Sequence, residues 1–306
     1  MKYSTAEPAV GLHHRAEDHT QAAVGTKRGA KAASRMLILV LSGSILLAMI
    51  ALALIVPLLS PYDTNDQDLA SRLQPPGWTS PTGDHHWLGT DSLGRDILVR
   101  VAVGARISLF IGIIAVVAMF VLGTLLGLLA GFLGKRVDSV IMRLADVQMA
   151  FPVILAAIAL VALIGPSFWN IIFVFMITGW PVFARVTRAT TLGLKEREFV
   201  EAAQALGASK LRLMLREVLP NIMGPLLVIA TYQMAEVILT EASLGFLGLG
   251  IQPPTPSWGG MMAEGRDYLA TAWWITIIPG IALLITAAGA NRLGNSYSKL
   301  VSSKSQ

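Results

Sequence analysis

Six apolar stretches, at about 36–59, 107–132, 147–164, 168–183, 225–249 and 272–290, constrain this chain more than any other feature. Each is close to the ~20 residues a helix needs to cross a hydrocarbon core, the third and fourth being on the short side. Within lipid every backbone N–H and C=O must be satisfied inside the segment itself, so runs of this kind span as helices. The expected fold is therefore all-α, a polytopic membrane protein of about six transmembrane helices. Composition agrees. Of 306 residues 54% are hydrophobic and only 14% charged, with mean hydropathy +0.62, against about 25% charged in soluble domains. There is no cysteine, which removes disulfides and thiolate metal sites. The net charge of +5 is modest and does not point to nucleic acid.

The polar segments divide the chain further. Residues 1–35 are polar and aperiodic, with a basic group at Lys27, Arg28, Lys31 and Arg35, and read as a disordered basic tail. Residues 36–59 form the first span and 60–106 a loop. Residues 107–290 form a core of five further spans that carries a polar insert at 189–224, and 291–306 form a C-terminal tail. Lys135, Arg136, Arg143, Arg188, Lys195, Arg212 and Arg292 fall on one side if the spans alternate. The 60–106 loop is rich in aspartate. The positive-inside rule then places both termini and the insert in the cytoplasm, and 60–106 outside.

The insert is the most informative polar segment. In 198–220, EFVEAAQALGASKLRLMLREVLP, Phe199, Ala202, Ala203 and Leu206 recur at helical spacing. Gly207 is placed to end that helix, Ser209 to cap a second one, and Pro220 to close it. Glu201-Ala202-Ala203, then Gly207, then Leu219-Pro220 resembles the EAA motif of the membrane subunits of bacterial ABC importers. Glu217 stands where the peptide-importer branch often has His. In that family the segment is a coupling helix held in a cleft of an ATPase subunit. ATP-driven dimerisation of the ATPases moves it and shifts the bundle between inward- and outward-open states. An amphipathic cytoplasmic helix docking its apolar face in a partner's groove fits that role. No P-loop stands in this chain, because the glycines before Gly134-Lys135 are wrongly spaced and Arg136 follows. ATP and magnesium are accordingly expected on partner subunits, with no cofactor and no catalytic centre here.

Two further stretches narrow the branch. His86-Trp87-Leu88-Gly89-Thr90-Asp91 through Gly94-Arg95-Asp96, with Gly104-Ala105-Arg106-Ile107-Ser108, is similar to a segment of dipeptide, oligopeptide and nickel importer permeases of the C-subunit type. So is Ser243–Gly250 with Gln252-Pro253-Pro254-Thr255-Pro256-Ser257-Trp258-Gly259. The C-terminal run departs from that branch after Gly294-Asn295. The resemblance implies a heterodimer with a B-type permease, two ATPase subunits, an extracytoplasmic binding protein and di- or oligopeptide cargo. A nickel-chelate or other small-solute importer and an ATP-independent secondary transporter are the alternatives. Asp91, Arg95 and Asp96 read as caps and local pairs rather than substrate contacts. His85 and His86 read as chance polar residues, and Trp258 as an interfacial one. Gly123, Gly127 and Gly131 form a small-residue ridge for helix packing. Glu236 and Glu241, carboxylates inside the fifth span, are candidates to line the translocation pathway, with a structural role as the competing reading. A channel lacks a filter, a secondary transporter an internal repeat, and an intramembrane enzyme a nucleophile–base pair within the spans.

Overall fold

A computed structural model describes residues 40–304 apart from 42 and 82; the expected tail at 1–35 lies outside the described residues. The chain is almost entirely helical. The apolar helix α1 (Gly43–Leu59) leads into a loop with one 3-10 turn (Leu69–Ser71) and a two-residue antiparallel hairpin, β1 (Trp78–Thr79) with β2 (His85–His86). Then follow α2 (Ile97–Leu133), α3 (Lys135–Met149), α4 (Val153–Ile164), α5 (Phe168–Leu194) and α6 (Glu198–Ala205). A continuous helical stretch over 210–246 comprises α7 (Lys210–Arg212), a π-helical turn (Leu213–Val218) and α8 (Leu219–Phe246). The short α9 (Trp258–Gly265) and the long α10 (Trp274–Lys304) complete the order.

Four of these helices are individually long and apolar enough to cross a membrane: α2, α5, the 210–246 stretch and α10. The pair α3 and α4, bent by 90° at its break, supplies a fifth span if counted as one. With α1 this makes six, as the apolar runs imply. The third run is not a straight span, however. Its first residues end α3, an amphipathic helix with only Ile141 and Ala145 buried, and the chain turns at Pro152 before the wholly apolar α4. Proline lacks the N–H a continuing helix needs and biases the residue before it away from helical geometry. Similarly, α2 begins at Ile97, ahead of its apolar run. Asp96 caps it by accepting from the Val99 N–H at 3.0 Å, and Gly134, at φ +62°, ends it. At 1.5 Å per residue its 37 residues reach about 55 Å, well past a ~30 Å hydrocarbon core.

The core is built on α2 against α5. Gly123, Gly127 and Gly131 lie on one face of α2 and take the backbone of α5 directly. A Cβ at Gly127 would sit 2.5 Å from the Ala184 carbonyl oxygen and 2.5 Å from Thr187 Cβ. Close approach of this kind is how helices associate where lipid offers no hydrophobic drive. Around the contact Ile111, Met119, Ile171, Phe175, Phe183 and Leu226 form the main apolar cluster. A second cluster, near the start of α2, gathers Ile97, Val101, Trp258, Met261 and Trp274. Trp258 is therefore not interfacial. It is fully buried against Gly104, and its indole N–H donates to the Val101 carbonyl at 3.1 Å.

Candidate coupling helix and pathway residues

α6 stands at the end of the bundle that also holds the α2–α3 turn. α5 reaches that end through Arg188, whose guanidinium grips both oxygens of Asp138 on α3. Glu198 and Glu201 occupy the first turn of α6, where carboxylates favour the helix dipole. The helix stops in a complete Schellman turn. Gly207 N–H donates to the Gln204 carbonyl at 3.0 Å and Ala208 N–H to the Ala203 carbonyl at 3.1 Å. Gly207 itself holds φ +84°, a left-handed conformation that costs any side chain but glycine's. Ser209 then caps the next helix, accepting from the Arg212 N–H. Both sequence expectations for this junction hold.

The expectation for Pro220 does not. Pro220 closes nothing; it lies in the first turn of α8, and the helix passes through it unbroken. The π-helical turn at Leu213–Val218 explains the difference. Its wider i→i+5 bonding shifts the carbonyl that the proline ring would otherwise strike, and Pro220 has no N–H to leave unpaired. Leu219 is half-buried and Pro220 exposed.

α6 packs on that π turn, where Leu213, Met214 and Val218 are buried. Its one fully buried residue is Val200, 1% exposed, which the sequence reading passed over. The stripe Phe199, Ala202 and Leu206 instead faces out, with Leu206 at 90%, and Leu211 and Leu215 continue it along the following helix. Glu201 is exposed beside it and Ala203 half-buried. The two readable stripes of α6 thus divide: Val200 anchors and the Phe199 face is left free.

The two carboxylates of the fifth span separate likewise. Glu236 is exposed on α8, at a cleft of about 30 Å³ bounded by Met119, Val153, Phe175, Gln233 and Thr240. Glu241 is wholly buried, and Ser108 Oγ donates to its Oε2 at 3.0 Å. Its Oε1 has no hydrogen-bond partner among the described residues. No group of three or more His, Asp or Glu side chains among the described residues converges on a metal position.

At the opposite end, Asp91, Arg95 and Asp96 are the caps and local pairs expected, and more. Asp91 Oδ1 accepts from the Leu93 and Arg95 N–H groups, at 2.8 and 3.0 Å. His86 is no chance residue: it is buried, 2.8 Å from Asp96 Oδ2 through Nδ1, and stacked between Tyr62 and Trp78. In that loop the Ser71 hydroxyl and the Ala70 N–H hold the Asp68 carboxyl below its ordinary range.

With this arrangement in view, the comparisons with known proteins decide the family. Residues 123–299 match the binding-protein-dependent transport system inner membrane component family. Residues 38–76 match the N-terminal TM domain of oligopeptide transport permease C. The chain belongs to this permease family. Its relatives include the di/tripeptide transport system permease protein DppC of Pseudomonas aeruginosa (strain UCBPP-PA14), 44% identical over 250 residues that cover 82% of each chain. The glutathione transport system permease protein GsiD of Pectobacterium atrosepticum is 40% identical over 261 residues, 85% of each. The probable D,D-dipeptide transport system permease protein DdpC of Escherichia coli (strain K12) is 38% identical over 265 residues, 87% of each. Among solved structures, an inward-facing conformation of the MetNI methionine ABC transporter matches with TM-score 0.52 at 18% identity, covering 65% of this chain and 94% of that one. At that identity the likeness speaks for the fold. The permease is thus a multi-pass inner-membrane protein of DppC type, and its polar insert is part of the matched domain.

Proposed function

We propose that this permease forms one half of the translocation pathway of an ATP-driven peptide importer, and that α6 is its coupling element. The observation that carries the reading is the exposed apolar face of Phe199, Ala202 and Leu206. It sits on a short helix held by a Schellman turn between two spanning helices. A face of that kind is covered by a partner, and a groove on an ATPase subunit supplies the burial it lacks. Two such ATPases bind ATP and magnesium, while this chain contributes no chemistry. A B-type permease completes the bundle, and an extracytoplasmic binding protein meets the 60–96 side. The termini and α6 are cytoplasmic, in keeping with the basic residues around Lys135, Arg188 and Arg212. Three relatives are named for peptide or glutathione transport, which favours peptides over chelated nickel. Of the two carboxylates, Glu236, exposed on α8, is the one we assign to the pathway. Glu241, sealed between α2 and α8, serves packing.

The test is ATP-dependent uptake of a labelled dipeptide into membrane vesicles containing the co-expressed complex, wild type against Glu201→Arg. A cation here opposes the helix dipole and alters the docking face without touching the core. Loss of uptake with insertion and assembly intact supports the coupling role. Unchanged uptake sinks it. Absence of dipeptide uptake in the wild type redirects the cargo to other solutes.

A further inference from the structure

The end of the bundle remote from α6 holds a charge cluster that coupling does not use. Arg95, just before α2, and Arg100, in its first turn, are both buried, Arg100 to 1% exposure. Each turns its Nη2 to the same carboxylate oxygen on α9, Glu264 Oε2, at 2.9 and 3.0 Å. On their other side Asp91 Oδ2 lies 2.6 Å from Arg95 Nε and 3.3 Å from Arg100 Nε. Arg100 Nη1 has no hydrogen-bond partner among the described residues. Two cations and two carboxylates balance.

The four members differ in access. Asp91, Arg95 and Arg100 are sealed, whereas the Glu264 side chain is 28% exposed. It borders a cavity of about 150 Å³ shared with Gln252, Thr255 and Ser257. Glu264 is also the member that belongs to a different helix. The start of α9 is fixed in another way. Trp258 is inserted against Gly104, and Gly259 touches α8 so closely that a Cβ there would lie 2.3 Å from the Ala242 carbonyl oxygen. The helix is therefore pinned tightly at its start. Near its end it packs on the start of α10, where a Cβ at Gly265 would lie 2.4 Å from Thr276 Oγ1, and its polar tie to α2 there is one carboxylate that water can reach. Leaving the arginines, Glu264 would enter a hydrated cavity, while both cations would share Asp91 alone; the one net positive charge left behind is the cost of release and favours the latched state at rest.

We propose that Glu264 is a releasable latch. It holds α9 on α2 through Arg95 and Arg100, and its departure lets α9, with the start of α10 packed on it, swing about Trp258 when this end of the transporter opens. The direction of use rests on the importer reading; the latch itself does not.

Because this chain has no cysteine, Met261→Cys gives it a single thiol, buried in the cluster with Val101 and Ala105 and read on this subunit's own band. Its maleimide labelling rate in the assembled complex reports α9 leaving α2. Glu264→Gln is expected to raise that rate at least tenfold, the factor that losing one of its two charged contacts, to Arg95 and to Arg100, implies, and Glu264→Asp to reverse much of the rise. Basal ATP hydrolysis without peptide should rise with it, a gain that a merely structural tie would not give. Ile171→Cys, buried in the other cluster, should keep its low rate throughout. Unchanged labelling at Met261→Cys in the Glu264→Gln background would overturn the latch, as would equal acceleration of both reporters. Failure of the importer reading shows separately, as absence of ATP-dependent uptake by the wild type, and leaves the labelling comparison intact.

Discussion

Replacing Gly207 with valine isolates the backbone of the coupling segment from its contacts. Nothing lies within 4 Å of a Cβ built at Gly207, so the substitution creates no collision inside this chain. What it does meet is φ +84°. A non-glycine residue held in that region loses about 1–2 kcal/mol, and β-branching makes valine one of the poorer occupants. The Schellman hydrogen bonds from Gly207 and Ala208 depend on the same conformation. α6 has only eight residues, too few to persist without its cap and its packing. A penalty of 1–2 kcal/mol therefore lowers the population of the docked geometry by about five- to thirtyfold. In the vesicle assay, ATP-dependent uptake should fall by a factor in that range while insertion into the membrane stays normal. Asparagine tolerates the left-handed region better than other side chains, so Gly207→Asn should retain clearly more uptake than Gly207→Val. Wild-type uptake by Gly207→Val, or equal loss in both variants, would refute the conformational argument.

Other perturbations have separate expected outcomes. Gly127→Leu drives a side chain into the α5 backbone at Ala184 and Thr187, and thermal unfolding of the purified complex should show a loss of about 1–3 kcal/mol or failed assembly. Gly193→Ala, in the same helix pair but with open space around its Cβ, should be neutral or stabilising by up to about 1 kcal/mol in the same measurement. Asp96→Ala removes the α2 cap and the His86 partner together; a cost of about 1–2 kcal/mol from the cap alone should appear as faster proteolysis of the 60–96 loop in right-side-out preparations. Asp146→Asn breaks an exposed pair with Arg185 and should change stability by less than about 1 kcal/mol.

The local chemistry of this fold was legible in the sequence. Six apolar runs marked the spans, the spacing of Gly123, Gly127 and Gly131 marked a close helix contact without naming its partner, and Gly207 and Ser209 marked the two caps. Each of these is a property of neighbouring residues. What escaped depends on geometry between distant ones. Pro220 looked like a terminator because the π turn before it has no sequence signature of its own. Val200 could not be told from Phe199 as the anchoring residue, since both are apolar and only the position of the next helix decides which faces in. Glu264 lies far along the chain from Arg95 and Arg100, and no periodicity joins them. Trp258 suits an interface by its chemistry, and only the space left by Gly104 explains its burial. At the candidate site the EAA stripe was correctly placed on a helix, while its outward face emerged from the packing.

The unbroken stretch from Lys210 to Phe246 has a mechanical consequence. Its 37 residues make a rod of about 55 Å, fixed to α6 at one end and ending beside α9 at the other. Such a rod behaves as a tiller. A tilt of about 5° about one end displaces the other by about 5 Å, roughly one helical turn, less whatever bending Pro225, inside α8, absorbs. Had Pro220 ended a helix there, as its chemistry suggests in isolation, a swivel would sit between the two ends and most of that stroke would be lost. The π turn carries the helix past Pro220, and together with Pro225 it governs how far a push on one side of the membrane is felt on the other.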